Sequence, residues 1–145
     1  MDSLVRQARF PALSDQLFRQ RVRNNLIAYL ELAASAERQR AYERSGSNDQ
    51  VPSEVILQWE DWVQPANLDW FSPPVFSPEE ISAIQKFQAV WRLVRDETPK
   101  PIPQSVEAVI GTDPWTRLAA AAHDALEIFA QRGRFNDDVE EPFAA

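Results

Sequence analysis

His123 and Glu127 are the residues whose types and spacing come closest to supporting chemistry. Four positions apart on a helix, they share a face, where a carboxylate can bias the proton of an imidazole. That could begin a general acid–base site. Asp124 projects away from the pair, so no local triad forms, and His123 is the single histidine among 145 residues. An enzyme using His123 and carboxylates is the weaker alternative beside an incidental helix-edge pair.

Other chemistries find still less material. There is no cysteine, no HExxH arrangement and no calcium-loop spacing, so no metal site is expected. The three glycines, Gly46, Gly111 and Gly133, open no phosphate-binding loop with the Lys and hydroxyl residues such a loop needs. No cofactor is expected. Tyr29, Trp59, Phe87, Trp91, Trp115 and Phe129 could surround a small-molecule cavity between helices, or simply build the core.

Recognition of another protein is the leading expectation. The chain carries a formal charge of -7 and five tryptophans, with Trp59, Trp62 and Trp70 close together in sequence. Residues 1–50 hold eight Arg or Lys against six Asp or Glu, and the rest seven against sixteen, so +2 and -9. The acidic part repels nucleic-acid phosphate, and no nucleic-acid partner is expected. Glu60, Asp61, Asp69, Glu79 and Glu80 could form an acidic rim around Trp70, suited to a basic protein. An inhibitor, immunity protein, antitoxin or chaperone would use such a surface. A homo-oligomer could instead bury Ile27, Leu32, Leu93 or Ile128, which sit off the main helical stripes.

The elements that would position these residues are helical. Ser14 caps a long pattern reaching about Arg44, with Phe18, Val22, Leu26, Tyr29, Leu30, Ala33 and Ala36 on one stripe and Gln20 and Gln39 among the residues outside it. Ser53 can cap a second helix to about Val63. Gln64–Ser77 reads as a Pro-rich loop anchored by Trp70, Phe71, Val75 and Phe76. Ser77, Pro78 and Glu80 form a capping-box start for a helix to about Asp96. A short helix over 104–110 and a last long one from Asp113 to about Gln131 follow, the latter closed by Gly133.

The expected architecture is all-α: a single-domain irregular helical bundle with four principal helices, a short additional helix and Pro-rich connections. The reading divides it into an N-terminal arm over 1–13, a helical domain over 14–133 and an acidic, flexible tail over 134–145 with Phe143 free or docked locally. No apolar run is long enough for a signal peptide or a membrane span, so no membrane is expected and a cytoplasmic setting is the default.

Overall fold

The computed structural model describes residues 13–46 and 50–143. Five α-helices lie in them: α1 (Asp15–Ala34), α2 (Ala36–Arg44), α3 (Val51–Leu57), α4 (Pro78–Glu97) and α5 (Asp113–Phe129). Short stretches of 3₁₀-helix occupy Gln58–Asp61, Pro65–Trp70 and Val106–Ala108. The fold is all-α, with no strand among the described residues. The proposed N-terminal arm lies almost wholly outside them.

The helix expected from Ser14 to Arg44 is two helices. Ser35 takes an extended backbone (φ -131°, ψ 110°), and its hydroxyl accepts from the Arg38 amide at 3.1 Å, so it closes α1 and caps α2. Serine competes for backbone bonds in this way, which is why it breaks helices as readily as it starts them. The carbonyls freed at the break are served by Gln39, whose amide donates to Leu32 O at 3.0 Å. Gln39 therefore turns inward and is buried, against the outward position its helical phase implied.

Two other departures lie nearer the start of α1. Gln20 is fully buried, and Phe18, placed on the core stripe from the sequence, is 49 % exposed. Gln20 turns inward because the chain after α5 runs back along α1. Its amide donates to Asn136 O (2.8 Å) and Val139 O (3.0 Å), while its carbonyl accepts from the Glu141 amide (2.8 Å). Arg21 and Asn24 hold Asp137 and Phe135 beside it. Residues 134–143, expected as a flexible tail, are thus tied along α1, with Phe143 packed edge-on against Phe135 at 5.5 Å. Gly133, at φ +74°, makes the turn that sends the chain back.

The second helix begins at Val51 rather than after Ser53, and tightens into a 3₁₀ turn at Gln58. Trp59 of that turn is fully buried, meeting Phe87 at 4.6 Å and Tyr29 at 5.4 Å, and its indole N–H donates to Gln88. The Trp91 indole donates to Ile56 O at 2.9 Å and that of Trp115 to Gln39 at 2.9 Å. Every one of these buried indoles has its partner, as a dry core demands. Tyr29, whose hydroxyl donates to Val55 O, is pushed above its ordinary range by burial. The six aromatics proposed as a cavity wall are all buried and serve as core packing.

α5 packs against both α4 and α1, so these three long helices make the central layer. α4 and α5 run antiparallel: Glu97 at the end of α4 pairs with Arg117 near the start of α5, and Pro78 at the start of α4 faces Ile128 near the end of α5.

Candidate functional site

α4 opens with the capping box read from the sequence. The Glu80 amide donates to Ser77 Oγ at 3.2 Å, and the Ser77 amide donates back to the Glu80 carboxylate at 2.9 Å. A glutamate engaged this way points toward the chain before the helix, not toward solvent. Glu80 is accordingly 1 % exposed, and does not belong to the rim proposed from the sequence.

What receives it is a buried charge cluster. The fully buried Arg23 guanidinium grips both Glu80 oxygens, at 2.6 and 2.8 Å, and Arg132 adds a contact at 2.6 Å. Arg23 also donates to Val75 O and Gly133 O, both at 2.9 Å, and its guanidinium lies 4.1 Å from the Phe135 ring centroid. Burial alone would raise the Glu80 carboxyl. The bonds from Arg23, Arg132 and the Ser77 amide, with the Arg23 charge, outweigh it and hold the group at about 2. The cluster ties α1, α4, the Pro-rich loop and the turn after α5 together. With all its donors and acceptors engaged, it is built for cohesion rather than for chemistry.

The remaining rim residues fall on separate surfaces. Glu60 pairs with Arg95 at 3.5 Å, near the C-terminal end of α4, whereas Glu79 stands at its start; sixteen residues of helix put these about 24 Å apart. Asp61 and Asp69 are exposed. Trp70 is half-buried between Phe18 and Phe71, at 5.8 and 5.1 Å, and the Arg19 guanidinium covers its ring at 4.6 Å. That cation–π lid occupies the indole face that a partner would otherwise contact. Glu60, Asp61, Asp69, Trp70, Glu79 and Glu80 therefore do not surround one contact surface.

His123 and Glu127 do meet. Nδ1 lies 3.6 Å from Oε1, with both side chains about two-thirds exposed (66 % and 69 %). Beyond hydrogen-bond reach and in open solvent, the pair lacks the enclosure and the oriented third group that acid–base catalysis uses. Among the described residues, no three or more His, Cys, Asp or Glu side chains gather into a metal site.

A groove between α4 and α5 joins a sequence-chosen acid, Glu79, to an apolar depression. Its volume is about 740 Å³. Ala83, Phe87 and Ala125 form a buried floor, with half-buried Val90, Ala121 and Ile128 along it. Glu79, Asp124 and Glu127 stand on the rim with one opposing cation, Lys86. The Glu97–Arg117 pair bridges the same two helices about 10 Å of helix axis beyond Val90. Glu31, Glu80, Glu97 and Glu107 are engaged by arginines, whereas Glu79 and Asp124 have no ion-pair partner among the described residues. Such a trough gains both from covering its half-buried Val90, Ala121 and Ile128 and from meeting positive charge.

Sequence reasoning assigned α5 one apolar arc and α4 one stripe, and so missed the second edge that each presents here. The signal was available in Ile128 and Leu93, which lie off those stripes. Ile128 is in the groove and Leu93, three positions after Val90 on α4, is 58 % exposed, while Ile27 is buried in the core and Leu32 packs partly against it. The chain matches no protein-family model, no curated protein and no solved structure.

Proposed function

We propose that this chain is a nonenzymatic protein-recognition module that binds a basic partner through the α4/α5 groove, in the manner of an inhibitor, immunity protein, antitoxin or chaperone. The observation that carries this reading is the pairing of half-buried apolar residues (Val90, Ala121, Ile128) with rim carboxylates at Glu79 and Asp124 that have no ion-pair partner among the described residues. Covering the half-buried Val90, Ala121 and Ile128 releases water from apolar surface, and the rim selects the sign of what covers them. The chain's formal charge of -7 favours encounter with a basic protein over long range. A cytoplasmic setting suits a module without cysteines.

The test is capture from the native cell with the wild-type protein and with Ala121→Arg, which fills the groove from a half-buried position. The reading expects a stoichiometric basic protein, identified by mass spectrometry, with wild type and its loss with the variant. Retention of that protein by Ala121→Arg, with the helical spectrum intact, would count against the groove. Recovery of no stoichiometric partner under gentle salt would count against recognition itself.

A further inference from the structure

We infer that the occupant of this groove is a basic amphipathic α-helix of the partner, about three turns long. The inference rests on the recognition reading above and specifies the form of what is recognised. The lining residues recur along two antiparallel helices: Pro78 and Glu79, Ser82 and Ala83, Lys86 and Phe87, then Val90 on α4, with Ala121, Ala125 and Ile128 opposite. That spacing makes a straight trough, and the span from 78 to 90 is about 18 Å of helix axis.

Backbone chemistry favours a helix over an extended segment. The walls are the sides of two helices, whose amides and carbonyls are already bonded within each helix, so the trough offers an entering strand no ladder to complete. A helix brings its own backbone bonds and needs only apolar side chains on one face. Ala83, Ala121 and Ala125 permit close approach, toward the short end of the roughly 8–10 Å range of packed helix axes. The flanks of that helix must be basic, since Glu79, Asp124 and Glu127 face them with Lys86 as the one opposing cation.

The probe is a synthetic peptide of about fourteen residues, enough for the trough, with leucines at one helical face and lysines elsewhere, titrated into the full-length protein and followed by backbone-amide NMR. Shifts should be confined to 78–90 and 121–128. Replacing every lysine by glutamate, or placing proline at the centre, should weaken binding about tenfold or more. The Asp124→Lys/Glu127→Lys protein should lose a similar factor, whereas Asp61→Lys, on the 3₁₀ turn after α3, should change it by less than about twofold. Equal binding of the proline or glutamate peptide in the groove would overturn the helical or basic assignment while leaving the groove as a recognition surface. Shifts scattered over the protein, or equal losses in the Asp61 and the Asp124/Glu127 variants, would overturn the inference outright. So would a dimer that sediments with the groove covered by a second copy. Should no peptide perturb the groove while partner capture still fails with Ala121→Arg, the helix is wrong and the recognition reading stands.

Discussion

Replacing Glu80 by glutamine tests whether the buried charge cluster holds the fold together. The Glu80 carboxylate is 1 % exposed and accepts from Arg23 at 2.6 and 2.8 Å, from Arg132 at 2.6 Å and from the Ser77 amide at 2.9 Å. Glutamine keeps the shape but leaves the wholly buried Arg23 guanidinium without its counter-charge, a change that costs about 3–5 kcal/mol. Moving the carboxyl from its ordinary 4.5 to about 2 is by itself worth about 3 kcal/mol at neutral pH. Because the folded value lies below the unfolded one, that contribution is complete above 4.5 and is lost as pH falls from there toward 2. The assay is urea unfolding followed by tryptophan fluorescence and far-ultraviolet circular dichroism, on wild type and Glu80→Gln, between neutral pH and the lowest pH at which both remain folded. The gap between the two proteins should be about 3–5 kcal/mol at neutral pH and should narrow steadily below about 4.5. Other carboxylates titrate in both proteins and cancel in the difference. A gap under about 1 kcal/mol, or one that stays constant down to the acid limit, would refute the reasoning.

Three further substitutions probe the frame. Phe135→Ala removes the ring lying 4.1 Å from the Arg23 guanidinium and 5.5 Å from Phe143, and should cost about 2 kcal/mol, below the usual range for a fully buried phenylalanine, in urea unfolding. It should also lower hydrogen-exchange protection along 134–143, and unchanged protection there would mean that the segment is held without Phe135. Ser35→Ala deletes the cap on α2 and should destabilise by about 1 kcal/mol; a stabilised variant would mean that α1 and α2 favour one continuous helix. His123→Ala should leave the urea midpoint within about 0.5 kcal/mol of wild type, because its one ion-pair contact is long and exposed, and a larger loss would give this histidine a role the geometry does not.

The fold class and the best helix were legible because they rest on local rules. Ser77, Pro78 and Glu80 specify a helix start through bonds within four residues, and the structure has α4 running from Pro78. The break at Ser35 was less legible, since the 3.6-residue rhythm continues across it and Gln39, whose side-chain amide donates to the freed Leu32 carbonyl, looks from the sequence like a surface residue. Gln20 and Arg23 were illegible for a stronger reason. Their burial depends on residues more than a hundred positions away, at 133–141, folding back over α1. The rim failed where two readings of one residue competed: Glu80 could not both complete a capping box and face a partner, and the box won because its bonds are local and the arginines reinforce them. The groove itself needs the antiparallel pairing of α4 with α5, which brings Glu79 near Glu127 and which no periodicity within either helix encodes.

Hydrogen–deuterium exchange on the full-length protein, alone and with the basic protein it captures, addresses the recognition surface most directly. Backbone amides within 78–90 and 121–128 should gain protection in the complex, with the exposed turn at Asp61 and the Trp70 ledge unchanged. Protection centred on Phe18, Asp69 and Trp70, with no change along α4 and α5, would contradict the assignment and move the binding face to the surface around Trp70.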